Sequence, residues 1–508
     1  MSANKRIAKN TGFLYIRMLL MMGIAFFSSR ILLRELGVED FGLYGVVGGV
    51  VAMFGSLRGI FASSIQRFLN FEKGRGNSDK LNRIFNIGVT IHLLLSVVFL
   101  ILAETVGLWF LNNKLVIQPD RLIAANWVFQ FSIAASIVTL MTIPYDAVII
   151  ANERMKAFAY ISILDAILKL GIIFLISFFG NDKLIFYGLL ILIVSIITRS
   201  VNMIYSRRNF EESKYRFIWD KNLFKQIGSF AGWNFLGTTA FTFTNEGVNI
   251  LLNIFGGTPV NAARTIAYQV RSIATQFASN ILMAVNPQLI KLYSQNKKRD
   301  FTDLLFFISK ATFFVMLFLC LPIILFADTI LTLWLVNVPE YTVVFVKLIL
   351  VFLMVRILHS PIDTLFKATG NIKYYQIVDA LILSLNLPIS YFLLKNDYEL
   401  HSVFVVMIFV EAIDLISVLY LAKRMGELNM SNYLIRVIHP CVLVSIIAAS
   451  SSYFIIRLLN SPLLIVQLTY FMGVLIIIIM STFVVGFNKK EKKILLSSVL
   501  SFKNKHLK

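Results

Sequence analysis

Apolar runs of about twenty residues recur from one end of this chain to the other, and they constrain its fold more than any other feature. An α-helix rises 1.5 Å per residue, so about twenty residues match a hydrocarbon core of ~30 Å. Barrel strands alternate apolar and polar residues and cross in about ten, which excludes a barrel here. Of the 508 residues, 58% are hydrophobic and only 15% charged, a balance foreign to soluble domains. The expected class is an all-α integral membrane protein.

Fourteen spans are expected: 12–33, 41–62, 84–103, 122–143, 157–179, 184–205, 227–254, 265–288, 304–327, 342–365, 374–394, 401–422, 435–456 and 464–486. The first run, Gly12 to Leu33, is too long for the apolar core of a signal peptide, so no cleavable leader is expected. With the N terminus inside, about 32 Lys and Arg fall in cytoplasmic segments and about 7 outside. Membrane topology therefore explains the net charge of +21 better than nucleic acid does. Both termini are expected in the cytoplasm. Cys320 and Cys441 lie in apolar runs, and the five histidines lack ligand spacing, so no disulfide or metal centre is expected.

The halves resemble each other. Pro144, Asp146, Ala151 and Lys156 lie 217 positions before Pro361, Asp363, Ala368 and Lys373, and Ile31, Leu32, Leu33 and Gly37 lie 219 before Ile250, Leu251, Leu252 and Gly256. Six spans separate the equivalents, so the repeat is parallel and relates two six-helix lobes. The expected domains are a first lobe over 1–205, a linker over 206–226, a second lobe over 227–422, two extra helices over 423–486 and a basic tail over 487–508.

Nine cations sit at least three residues inside the ends of the spans: Arg17, Arg30, Arg58, Lys169, Arg199, Arg271, Lys310, Lys347 and Arg356. A cation at mid-bilayer costs roughly 2.5–3.5 kcal/mol on insertion scales, and such residues usually face an interior. So many on separate spans point to a basic cavity for an anion. Arg suits phosphate oxygens because its planar fork binds them in pairs. Arg17, Arg30, Arg58, Arg271 and Arg356 are the candidate substrate ligands. Arg271 leads, because its span also carries Gln269, Ser272, Thr275 and Gln276. Lys310 and Lys347 lie near span ends, where snorkelling suffices. Asp165 and Lys169 are spaced to satisfy each other.

Span seven presents Thr242, Asn245, Glu246, Asn249 and Asn253 at helical spacing. The acids of the second lobe are Asp379 in span eleven and Glu411 and Asp414 in span twelve. Glu246 with Asp379 is the candidate ligand pair for a coupling H⁺ or Na⁺; the bland alternative is that these acids neutralise arginines, or that Asp414 pairs across helices. No catalytic residues or other cofactors are expected. The pair Glu39-Asp40 is the one feature that a membrane glycosyltransferase or polymerase would share.

Residues 30–77, with LGVEDFGLYG and the RFLNFEKGRG exit, and residues 143–166, IPYDAVIIANERMKAFAYISILDA, resemble the polysaccharide-export flippases. The O-antigen (Wzx-type) family of that group belongs to the superfamily of the MATE exporters. The resemblance implies a MATE-like fold and a flippase that moves an undecaprenyl-diphosphate-linked oligosaccharide across the bacterial cytoplasmic membrane by alternating access. It also implies membrane lipids, polymerase and ligase machinery as partners. A MATE-type exporter of small molecules is the alternative. Its usual cationic cargo conflicts in sign with an interior this rich in arginine.

Overall fold

The computed structural model describes residues 3–492 except 56–64, 66, 67, 70, 71, 73–77, 153, 179, 181, 217, 219, 336, 370–372 and 460–463. Among the described residues it is helical throughout, with no strand. The helices are α1 (Ala3–Gly55), α2 (Ser78–Leu102), α3 (Leu122–Ala151), α4 (Met155–Ile176), α5 (Lys183–Asn209) and α6 (Lys221–Ser294). They continue as α7 (Lys298–Leu325), α8 (Ala327–Trp334), α9 (Thr342–Thr369), α10 (Lys373–Ser384), α11 (Asn386–Lys395), α12 (Ser402–Arg424), α13 (His439–Leu459) and α14 (Leu464–Ser481).

Ten helices among the described residues are long and apolar enough to cross a membrane. They coincide with expected spans three to six and nine to fourteen. The other four expected spans fall on α1 and α6, except that residues 56–62 of the second lie outside the described residues; the two helices' lengths of 53 and 74 residues exceed any single crossing. Each is broken once, α1 at Gly37 (φ 77°, ψ 173°) and α6 at Gly257 (φ 73°, ψ −174°). That region of backbone space is essentially reserved for glycine. The breaks lie 220 positions apart, so the repeat seen in sequence reappears as geometry, shifted by one residue from the Gly37/Gly256 match.

At the second break the chain folds back on itself. Asn253 Nδ2 donates to Asn261 Oδ1 (2.9 Å), Asn261 Nδ2 to Asn249 Oδ1 (2.8 Å), and Arg264 Nη2 to the Asn245 carbonyl (2.7 Å). Partners that close in number near the break and separate away from it mark an antiparallel hairpin.

The chain clusters into two compact units. The first is Met1–Thr265 with Trp334–Glu340 and Ser390–Asn396; the second is Ile266–Leu333 with Tyr341–Ile389 and Asp397–Lys508. The first half of α6 thus groups with the first unit, whereas the sequence repeat assigns it to lobe two. The core of the first unit joins Leu43, Val46, Val47 and Val50 of α1 to Phe99 of α2 and Val128, Phe129 and Leu140 of α3. In the second unit α9 packs between α7 and α12. Large apolar side chains such as Leu93, Leu94, Val97, Val98 and Ile101 of α2 stay exposed, as expected when lipid is the solvent.

Candidate functional site

Three polar assemblies interrupt the apolar helices. The first is the fold-back of α6 in the first unit. Its stripe of Glu246, Asn249 and Asn253 meets Asn261 and Arg264 on the returning helix. Asn253 Oδ1 also accepts from the Val116 backbone N–H (2.8 Å), which ties the α2–α3 connection to the stripe. Arg264 is 5% exposed. Besides the Asn245 carbonyl, its Nη1 lies 4.0 Å from Glu246 Oε2. Opposite stand Gly42, Gly45 and Gly49 of α1. A methyl at Gly42 would overlap the Thr258 carbonyl, one at Gly45 the Thr265 hydroxyl, and one at Gly49 the side chains of Asn249 and Glu246. Small residues at this spacing let two membrane helices approach at backbone distance.

The second assembly lies wholly in the second unit. Arg356 of α9 donates from Nη1 to Glu411 Oε1 (3.1 Å) and Oε2 (3.3 Å) of α12 and to Asp379 Oδ1 of α10 (3.5 Å). Asp414 Oδ2 is 3.7 Å from the same nitrogen. His359, one turn along α9, sits 3.8 Å from Glu411 Oε1 and 3.7 Å from Asp414 Oδ2. Glu411, Asp414 and His359 are fully buried. Three carboxylates therefore share one guanidinium and one imidazole in an apolar surround. His359, Asp379 and Asp414 could each offer a ligand atom, all within 4.8 Å of one another. A metal ion there would have to share its carboxylates with the guanidinium.

The third assembly lies outside the expected spans. Arg121 donates to Asp40 (Nη2 to Oδ2, 2.6 Å) and to Asp182 (Nη1 to Oδ2, 2.7 Å). Asp182 caps α5 by accepting from the Leu184 and Ile185 N–H groups. Burial tends to raise the Asp182 pKa, but Arg121 and those N–H groups outweigh it, and the carboxyl titrates below its ordinary value of 3.8. For Asp40 burial prevails over Arg121 and the pKa is raised. Nearby, Glu35 Oε2 accepts from Lys183 Nζ (2.9 Å) and Oε1 from Arg34 Nη2 (3.0 Å). Asp40, half of the acid pair that raised the glycosyltransferase alternative, is thus a bracket in an ion network.

The residues singled out in the sequence have separate fates. Arg271 packs its guanidinium 5.1 Å from the Tyr268 ring and 4.9 Å from the Phe352 ring, within the second unit. Arg356 is clasped by acids. Arg30 is exposed on α1. The Arg17 side chain and all of Arg58 lie outside the described residues. Asp379 belongs to the second assembly and Glu246 to the first, so the two candidate ion ligands are not neighbours within one unit. Asp165 and Lys169 pair at 2.7 Å as expected, and Arg199 pairs with Asp146 at 3.2 Å. Lys310 is a correction, for it does not snorkel: it is 3% exposed and bonds Glu491 Oε2 at 2.6 Å.

Sequence reasoning missed Arg264 and His359 as parts of sites, and it named Glu411 and Asp414 only as acids of span twelve, without joining them to Arg356. Arg264 fell in an expected outer loop, but one glycine makes the turn and the helix resumes at once, drawing the cation inside. For the other three the usable signal was Glu411 and Asp414 at i,i+3 on span twelve, with Arg356 and His359 at i,i+3 on span ten.

Among known proteins, a family model described as "Polysaccharide biosynthesis protein" matches residues 7–293. The fold is similar to that of the lipid II flippase MurJ in an inward closed conformation (TM-score 0.69, 16% identity, 93% of this chain and 98% of that one). It is also similar to a multidrug resistance MATE family transporter of the MOP superfamily, inward-facing (0.67, 15%, 81% and 94%). A MOP superfamily transporter from Pyrococcus furiosus is a further structural relative (0.58, 16%, 84% and 96%). No curated protein matches the sequence.

Proposed function

The chain belongs to the polysaccharide biosynthesis protein family, and from that premise we propose that it is a lipid-linked oligosaccharide flippase. In this reading it carries an undecaprenyl-diphosphate-linked glycan from the inner to the outer leaflet of the bacterial cytoplasmic membrane by alternating access. The observation that carries the reading is Arg271, a guanidinium inside an expected span braced by the rings of Tyr268 and Phe352. A ring-stacked guanidinium keeps its plane fixed, and its N–H edge is the part that engages phosphate oxygens. A diphosphate needs such cations, and its glycan needs a polar route such as the asparagine stripe of α6 offers. Arg17, Arg30 and Arg58 keep their place as further candidate ligands.

Coupling falls to the Arg356 assembly rather than to Glu246, whose carboxylate lies beside Arg264. Three carboxylates exceed the charge of Arg356 even when Arg271, which acts through space on Glu411, is counted with it, and burial disfavours the excess. A proton is the smallest ligand that corrects it, with Asp379, Glu411, Asp414 and His359 as its sites. The acid cluster also favours a second reading, a MATE-type ion-coupled exporter of small molecules.

Leaflet accessibility of lipid-linked oligosaccharide after depletion of this protein in its own host tests the first reading. Accumulation on the cytoplasmic face with normal synthesis supports the flippase. Normal appearance on the outer face sinks it and turns the search to soluble exported substrates.

A further inference from the structure

A buried cation and the far end of the chain meet in the second unit. On α7, Asp303, Phe307, Lys310 and Phe314 recur at spacings of four, three and four, which places them on one helical stripe. The segment after α14 lies along it. Phe487 packs on Phe314 (5.2 Å between ring centroids) and Phe307 (5.9 Å). Lys490 Nζ bonds Asp303 Oδ2 at 2.9 Å. Lys310 Nζ donates to Glu491 Oε2 (2.6 Å) and to the Gly486 carbonyl (3.5 Å), and it stands 5.7 Å from the Phe487 ring. A Cβ at Gly486 would fall 2.6 Å from Phe314 Cζ, so the backbone itself seats against that ring.

The segment is shaped before it docks. A π-helical turn over Thr482–Gly486 ends the α14 run, and such turns widen a helix and change the direction in which the chain leaves it. Asn488 and Glu491 then cap each other: the Asn488 N–H donates to Glu491 Oε2 (2.8 Å) and the Glu491 N–H to Asn488 Oδ1 (2.9 Å). One carboxylate oxygen thus holds both the tail's own turn and the lysine of α7. Lys310 is 3% and Glu491 8% exposed. In so apolar a setting, removal of either partner strands the other's charge.

We propose that residues 486–491 form a latch that clips the last expected span to α7, with the Lys310–Glu491 pair as its keeper, so that the two helices beyond the internal repeat stay fixed to the second unit. This goes beyond the flippase reading and holds whatever the cargo is. Exchange of the two charges keeps their attraction but loses the acceptor for the Asn488 N–H and the donor to the Gly486 carbonyl, so it should restore the latch in part.

The test uses the full chain in its own membranes. Cys320 and Cys441 are replaced by Ala, a protease site is placed in the loop at 425–429, and D303C and K490C are introduced. After cross-linking with a bis-maleimide, which spans the gap left by the shortened side chains, and cleavage, the two fragments should run joined on a denaturing gel. The joined fraction should fall at least tenfold with Lys310→Glu and recover in part with the exchange K310E/E491K at equal membrane levels. Where K310E does not reach the membrane, Glu491→Gln takes its place, with at least a threefold fall expected. Joining that is indifferent to these single changes, or that the exchange does not raise above K310E alone, overturns the latch.

Discussion

Arg271 and Arg356 carry the same charge into the membrane, and both act on Glu411, Arg356 by direct contact and Arg271 more weakly through space. Arg356 is enclosed by Glu411, Asp379 and Asp414, so its loss strands three carboxylates, a change that costs about 3–5 kcal/mol when a buried pair is broken. Arg271 stacks on Tyr268 and Phe352, contacts worth about 0.5–2 kcal/mol. Arg356→Ala should therefore lower the melting temperature of the purified protein well beyond Arg271→Ala, as scanning calorimetry in detergent would show. For transport the ranking turns round among folded variants. Arg271→Ala should cut glycan export at least tenfold with membrane insertion intact, measured by surface glycan at matched protein level. Full export in that variant would remove Arg271 from the site.

The sequence singled out Arg271 as a cavity candidate because it lies among amides in an apolar run, and the two rings that hold it came only with the structure. The sequence left Arg356 ambiguous and Arg264 hidden. Whether an arginine greets cargo or an internal acid depends on which helices neighbour it, and hydropathy does not encode neighbours. The expected spans, by contrast, needed only run length, and ten of them coincide with crossing-length helices.

At the level of elements, glycine decides where helices break and where they touch. Gly37 and Gly257 hold positive φ and break their helices; at Gly257 the chain reverses without a loop, which is why residues 258–264 are helical although the hydropathy pattern reads them as a connection. On α1, Gly45 faces the Thr265 hydroxyl at a distance that admits no methyl, while nothing lies within 4 Å of a Cβ at Gly48. The two glycines are three residues apart on one helix, so each controls for the other's effect on helix propensity. Gly45→Ala should destabilise by about 1–3 kcal/mol, the usual cost of overpacking. Gly48→Ala should be neutral or should stabilise by up to about 1 kcal/mol, the helical gain of Ala over Gly. Paired thermal melts decide it; equal shifts for both would show that the glycine face does not pack as described.

The molecule as a whole meets water at its loops, and there its stability becomes a function of pH. Glu35 is held below its ordinary pKa of 4.5, first by the hydrogen bond from Lys183 and then, against burial, by Arg34. A carboxyl lowered on folding stabilises the native state while ionised in both states, so its contribution is complete above about pH 4.5 and is lost as pH falls through the folded value. Asp182, lowered from 3.8 by Arg121 and two backbone N–H groups against burial, adds a second contribution of the same sign at still lower pH. Asp40, raised by burial over Arg121, has the opposite sign and offsets part of it. These acids join the turn after the first span to Arg121 before α3 and to Asp182 and Lys183 at the start of α5, so acid should loosen one face of the first unit. Lys183→Met isolates the first contribution. Its melting temperature should lie below wild type at pH 6, and the gap should narrow as pH falls from 5 to 3, because acid removes from the wild type what the substitution has already removed. A gap that stays constant over that range would mean that Lys183 acts by packing its stem rather than through its charge on Glu35.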